Sequence, residues 1–558
     1  MSSATAAIYQ PSPMQLARGV ARAVPGELSK SPLLGILGVI LGAGIVTLAG
    51  RLLSLGVTDL KGHLGVSYDD GAWIGTAFNA ALVFIGPFTV YLGGLLGPRR
   101  ILLFAAGTFT LVSVLLPFIH NYGLFIAALV LAGLAAGTFY PLTLTFALRN
   151  TPLRLLPYTI ALYATCVDSS VNAAPTLHGW CRDNLSWQWM FWMPAVITPV
   201  MMACIYWGIP STPTSKRSAA TPSFAGFLYV SAGLAVLYTA FDQGERLDWW
   251  RSGLFTSLVL SGSFLVLCGI LRRLLGPNPL VELPYLRFRN TLLLGVILFI
   301  FRFVLLSTII LIPTSLAVQG FEANQIGPAV IWTALPQLPI AFAIAFLLSR
   351  NADSRLITAT GFALIALACF LNAQLTSAWS AESYFRTEVL MAVGQSFAFI
   401  GLVSSIILQG LFTGGLSKPQ WILTFSAFFH VVRLFGGDIG AVYMGHFTAQ
   451  REKVHSNLIG LHVGVGNWAT DANIRRMGTV LYAKSAGLGA ATARTVEIIG
   501  ERIRLQSVTL ALIDGFCLVA LACVIGILLA ACLRESPLKF GDLADIQRTS
   551  APPPGVRR

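Results

Sequence analysis

Five ionisable side chains lie deep inside apolar stretches of this chain: Arg51, Asp168, Arg302, Arg433 and Asp438. A charge at mid-bilayer costs about 2.5–3.5 kcal/mol on insertion scales, so each demands a partner or a task. Around Asp168 stand Thr165, Ser169, Ser170 and Asn172, polar groups ill suited to a lipid-facing surface. Two readings are open. In one, Arg51–Asp168 and Arg302–Asp438 are buried ion pairs, tolerated while both members remain. In the other, the same groups face a water-filled path and exchange partners. A desolvated carboxylate then takes up a proton and loses it when a guanidinium approaches. Asp168 is the first choice as proton carrier and Asp438 the second, with Arg51, Arg302, Arg433 and Asn172 along the path of a solute.

The elements that position these groups are fourteen apolar stretches, each long enough as a helix to cross a ~30 Å hydrocarbon layer. They run near 33–57, 72–96, 100–119, 122–147, 155–177, 189–209, 224–241, 253–271, 292–317, 326–348, 356–374, 387–410, 420–447 and 508–532. Apolar residues make up 55% of the chain and charged residues 11%, against roughly 25% charged in soluble domains. The expected fold is an all-α polytopic membrane protein. Its net charge of +14 is not the footprint of a nucleic-acid binder, because the cations alternate with the helices. Arg99, Arg100, Arg149, Arg154, Lys216, Arg217, Arg272, Arg273, Arg350, Arg355 and Lys418 share one side with the tails. The opposite short loops hold only Lys61, Arg182, Arg246, Arg251 and Arg386. The positive-inside rule then places both termini in the cytoplasm.

The spans divide six, two, six. The expected organisation is a cytoplasmic tail over 1–32, a six-helix bundle over 33–209, a linker with two inserted helices over 210–290, a second six-helix bundle over 291–533 and a cytoplasmic tail over 534–558. The second bundle includes a long extramembrane segment, 448–507, on the outer side. That segment is basic and carries apolar residues at helical spacing, as either a solvated hairpin or a docking site for a partner would. In a six-two-six repeat, helix nine corresponds to helix one and helix thirteen to helix five. Both bundles thus place an Arg on their first helix and an Asp on their fifth.

Other ionisable groups have simpler explanations. Glu388 and Asp514 stand near the outer ends of helices twelve and fourteen, where snorkelling to water accounts for them. His178 and His430 are lone histidines, which are more often packing residues than titrating ones. Trp332, Phe301 and Phe303 suit either a drug pocket or contact with lipid. The eight cysteines and seven histidines form no pattern with metal spacing. No nucleophile constellation marks an enzyme, and neither a cofactor nor a metal is expected. The polar Met1–Lys30 stretch lacks the apolar region of a cleavable signal.

Several stretches resemble the major facilitator superfamily, in its fourteen-helix drug:proton antiporter branch of EmrB/QacA type. Helix five ends Ala174-Pro-Thr-Leu-His-Gly179-Trp, similar to the antiporter motif through Pro175 and Gly179. The segment Leu185-Ser-Trp-Gln-Trp-Met-Phe-Trp-Met-Pro194 leads into helix six as in the branch. Asp242-Gln-Gly-Glu-Arg-Leu-Asp-Trp249-Trp250, Arg287-Phe-Arg-Asn290 and Arg433-Leu-Phe-Gly-Gly-Asp-Ile-Gly440 follow in order. After helix two, Gly97, Arg99 and Arg100 match the late part of the loop motif. Gly94 and Leu95 stand where the family usually has Asp and Arg, Leu129 where antiporters commonly have an Arg, and the usual Asp of helix one is absent. These departures weaken the implied gating and coupling.

The resemblance implies a secondary transporter of two bundles that exports small amphipathic drugs or metabolites in exchange for protons. Two facing arginines favour organic anions or zwitterions. It further implies a bacterial inner-membrane location and, through segment 448–507, a periplasmic adaptor leading to an outer-membrane channel. The alternative is a non-transporting receptor or scaffold on the same fold.

Overall fold

The computed structural model describes residues 31–142, 151–152, 154–209, 224–275, 288–413, 419–464, 466–483, 487–536 and 538–542. Most of both expected tails, the whole Pro210–Ser223 linker and much of the basic segment before helix nine lie outside the described residues. Among the described residues every regular element is helical.

The first bundle comprises α1 (Pro32–Leu64), α2 (Tyr68–Leu96), α3 (Pro98–Leu115), α4 (Tyr122–Gly137), α5 (Leu156–Asn184) and α6 (Trp189–Gly208). The inserted pair is α7 (Phe224–Gln243) and α8 (Gly253–Leu275). The second bundle begins with α9 (Arg289–Val304), which passes through a π-turn (Ser307–Leu311) into α10 (Ile312–Val318). Helix ten of the sequence reading is broken into α11 (Ala323–Ala334) and α12 (Gln337–Ser349) around Pro336. Then follow α13 (Ser354–Asn372), α14 (Phe385–Phe412), α15 (Pro419–Gly460), α16 (Trp468–Tyr482) and α17 (Leu488–Ala531).

Twelve spans among the described residues are long and apolar enough to cross a membrane. Two further helices, α5 and α15, have 29 and 42 residues and miss that apolar standard. They carry Asp168, Arg433 and Asp438. The architecture is consistent with fourteen crossings, two of them polar because they hold the site.

Local signals start and stop these helices as sequence chemistry dictates. Proline begins α1 and α3, where its missing N–H costs nothing. The Ser67, Asn121 and Asp353 side chains cap α2, α4 and α13 by accepting backbone N–H bonds. Gly97, in the loop after helix two, has φ of 81°, a conformation that only glycine adopts without strain.

Small residues set the helix contacts, since lipid gives apolar faces no reason to associate. A Cβ on Gly361 of α13 would stand 2.1 Å from the Ala398 nitrogen of α14. The inserted α7 packs on α2 and α15. Between the bundles, α5 packs on α11, α12 and α14, and α2 packs on α15.

Segment 448–507 is largely helical. Helix α15 continues to Gly460, α17 begins at Leu488, and α16 packs on α17. Arg451 and His455 of α15 both meet Asp514 of α17, at 2.5 and 2.7 Å. Asp514 therefore ties the base of this extension together, where the sequence reading had it merely reaching for water.

Candidate functional site at the bundle junction

Asp168 is the thirteenth residue of α5, where that helix packs between the bundles, and is 2% exposed. Neither carboxylate oxygen has a hydrogen-bond partner. The charges that act on it are the guanidiniums of Arg302 in α9 and Arg433 in α15, both from the second bundle. Neither forms a close ion pair with it among the described residues. Arg433 instead donates from Nη2 to Thr47 Oγ1 of α1 at 3.2 Å, and lies over the Tyr140 ring at 4.1 Å. Tyr140 in turn stacks on His430 at 5.2 Å and meets Tyr163 edge-on at 5.9 Å. Arg302 Nε and Arg433 Nε are both buried and unbonded.

The expected pairs, Arg51–Asp168 and Arg302–Asp438, do not form. Arg51 Nη2 donates to the Ile309 carbonyl of the π-turn at 2.9 Å. Asp438 is engaged elsewhere. Its carboxyl lies within hydrogen-bond reach of Asp242, at the end of the inserted α7, and receives the Tyr238 hydroxyl. Thr76 of α2 donates to Asp242, and Gln243 Nε2 bonds Thr76 Oγ1 at 2.5 Å. The sequence reading saw Asp242 only as part of a motif. Its signal was its position at the membrane end of helix seven.

Glycines of the Arg433–Gly440 stretch bring α9 against α15. A Cβ on Gly437 would stand 3.0 Å from Arg302 Nη2. On the other side of Asp168, a buried amide network joins the bundles. Asn172 Nδ2 donates to Gln395 Oε1 at 2.8 Å, and Ser169 Oγ to Gln337 Oε1 at 2.8 Å. Gln395 Nε2 reaches Thr308 Oγ1 at 3.2 Å, and Thr308 Oγ1 donates to Asn172 Oδ1 at 3.2 Å. Gln337 and Gln395 escaped the sequence reading. Each is a lone amide in an apolar helix, which is a weak signal until the helices are assembled.

The antiporter-like motif packs α5 on α11 at the end of the bundles away from the termini, called the far face below. Thr176 Oγ1 donates to the Gly327 carbonyl at 2.7 Å. A Cβ on Gly179 would stand 2.8 Å from the Ala323 carbonyl oxygen, and Pro175 lies one turn before it. The loop motif acts within the first bundle, with Arg99 over the Tyr206 ring at 4.7 Å and Arg100 exposed.

The other candidates resolve individually. Phe301 is fully buried and stacks on Phe399 at 4.9 Å, so it belongs to the second bundle's core. Trp332 is 40% exposed against Phe385. His178 approaches Asp59 at 3.9 Å. Glu388 corrects its expected role, because it is 0% exposed and cannot reach water. Beyond the end of α7, burial pushes Glu245 up, but hydrogen bonds with His446 and Trp249 more than offset it and hold this carboxyl below its usual range.

Two helical bundles meeting around unpaired charges define a membrane transporter. The sequence pattern of the Major Facilitator Superfamily matches residues 39–441, and the chain belongs to that family. It is 23% identical to the multidrug export protein EmrB of Escherichia coli K12, over 82% of this chain and 87% of that one. It is 23% identical to the fatty acid resistance protein FarB of Neisseria gonorrhoeae, over 74% and 80%. Among solved structures it resembles the proton:xylose symporter XylE, with a TM-score of 0.51, 12% identity and 93% and 99% of the two chains covered. That likeness speaks for the fold alone.

Proposed function

We propose that this transporter exports small amphipathic molecules, zwitterions and organic anions above all, in exchange for protons. The observation that carries the reading is the Asp168 carboxylate, buried without a hydrogen bond between two guanidiniums that are not paired with it. An uncompensated charge in that position is kept only if something else comes to it. The acidic group of a substrate takes Arg302 and Arg433, and its amine or hydroxyl donor takes Asp168. Protonating Asp168 withdraws the acceptor and expels the donor, so the proton excludes every acidic solute that carries such a donor. This mutual exclusion is the linkage that exchange requires. Tyr140 and Tyr163 supply the aromatic wall for the apolar part of the solute. Asp438 is the second proton carrier, and its contact with Asp242 joins the inserted helices to the coupling. FarB's name for fatty acid resistance supports an acid among the substrates. A membrane potential adds about 2.3 kcal/mol per charge per 100 mV.

The cation bias of the loops supports a bacterial inner membrane with both termini in the cytoplasm, so the far face is periplasmic. The extension over 448–507 presents Leu461, Trp468 and Val480, all more than 70% exposed. Solvated helices seldom leave such residues bare, and a periplasmic adaptor leading to an outer-membrane channel is the partner we assign to them.

The test is retention of cationic, zwitterionic and anionic compounds in expressing cells, with and without an uncoupler. Lower retention of the acidic compounds, abolished by the uncoupler and by Asp168→Asn, supports the reading. Unchanged retention of every compound overturns it.

A further inference from the structure

Glu388 is the most deeply buried carboxyl that the exchange described above does not use. It lies one turn inside α14, near the far face, and is 0% exposed. Thr333 of α11 donates to Oε2, while Oε1 is buried with no partner at all. Among the described residues no cation acts on it. The titratable groups that sense it are Cys369 of α13 and Tyr384 of the preceding turn. Tyr384 shares its hydroxyl with Ser315 at 2.7 Å. Toward α14, the other packed helices present Asn172 from α5, Ser307 from α9's π-turn, Thr308 beside it, and Gln337 from α12. None is charged. A carboxylate in such surroundings would meet a desolvation cost of several kcal/mol with nothing to offset it, so the group holds a proton in this conformation.

The helix whose Thr333 bonds Glu388, α11, also packs on α5 at the far face. Helix α11 is a half-helix, set off from α12 at Pro336, and a break of this kind lets one half tilt without the other. One side of α11 is pinned to α5 by the Thr176–Gly327 bond and the close approach at Gly179. Thr333 pins it to Glu388 of α14. When α11 swings away from α5 to open the far face, Thr333 leaves and water reaches the carboxyl. We infer that Glu388 is a proton-binding site linked to the far-face gate: closing α11 takes up one proton there, and opening it releases one. Carboxylate plus proton gives the neutral acid on closure, and the aqueous far face supplies and receives that proton. The inference rests on the transport reading, since an exchanger must open this face, but it does not depend on which solute is carried.

The experiment measures the gate directly. Nitroxide labels at Asn184→Cys on α5 and Asn324→Cys on α11 report the far-face distance, with Cys517 and Cys532 replaced by Ser. In detergent or nanodiscs from pH 5 to pH 9, the wild-type background should shift from short to long distances as pH rises. Glu388→Gln, which keeps the shape of the protonated acid, should stay short throughout. Glu388→Asp should retain a pH response. Asp168→Asn should follow the wild type, which separates this site from the exchange site. A pH response in Glu388→Gln equal to that of the wild type overturns the inference and leaves the exchange reading untouched. A wild-type distance that does not move with pH overturns it equally. Thermal unfolding of each variant guards against misfolding, and the Asp variant carries the test if the Gln variant does not fold.

Discussion

Arg51 Nη2 donates to the carbonyl oxygen of Ile309 at 2.9 Å, from the first helix of one bundle to the π-turn of the other. The acceptor lacks its usual helical donor for a reason written in the sequence. Pro313, four residues on, has no N–H to offer it. An orphaned carbonyl within the membrane needs a donor, and Arg51 provides one across the bundle junction. It fastens the bundles together and is not part of the charge cluster around Asp168.

Replacing Arg51 by Met should therefore cost stability before it costs recognition. The loss of a charged donor to a buried carbonyl is worth about 1.5–3 kcal/mol. Thermal unfolding should show a lower midpoint, while the affinity for acidic compounds changes less than in Arg302 or Arg433 variants. A loss of affinity equal to theirs would return Arg51 to the substrate path.

Arg302→Ala and Arg433→Ala should each weaken binding of acidic compounds by about 30-fold or more, since truncating one partner of a buried charge contact costs about 2–5 kcal/mol. Purely cationic compounds should be unaffected or bind better. Equilibrium binding to the purified protein decides between the charge classes. Asp168→Asn should still bind acidic compounds yet release no protons on binding, which an unbuffered pH measurement detects.

Gly179→Ala should bias the far face toward opening. The added methyl would press on the Ala323 backbone at 2.8 Å, and overpacking of this kind costs about 1–3 kcal/mol. Accessibility of a cysteine introduced at Thr176 to a membrane-impermeant reagent should rise. No change in labelling would mean that α5 and α11 have room to spare.

Asp353 caps α13, and its side chain meets Arg355 in several bonds, the shortest at 2.6 Å. Burial pushes this carboxyl up, but the bonds from Arg355 outweigh it and hold the group below its usual range. A carboxyl lowered by folding stabilises the protein above its unfolded value and loses that contribution as pH falls through its folded value. Asp353→Asn should thus unfold at lower temperature than the wild type at pH 7. The gap should narrow as pH falls below about 4, the ordinary aspartate range. A gap that does not change with pH would trace the loss to capping geometry alone.

The helices were legible because lipid leaves little choice. Each span must satisfy its backbone internally, so apolar length alone announces a helix. The two spans hardest to fit that rule, α5 and α15, are the two that carry Asp168, Arg433 and Asp438. The charged residues were visible one by one, because each is an exception in an apolar run. Their partners were not. Arg51 reads like a mate for Asp168 until Pro313 and the π-turn present a carbonyl to it, and Arg302 like a mate for Asp438 until Asp242 arrives from an inserted helix.

By itself, then, the chain's order of residues determined the apolar helical spans and the small set of groups too polar for lipid. Periodicity and hydropathy are local quantities, and those features depend on little else. Only the tertiary structure decided which charges meet, which face Gly179 seals and that Glu388 is shut away from water. Those depend on how helices hundreds of residues apart are rotated against each other, and a rotation of one helix by a few residues exchanges one partner for another.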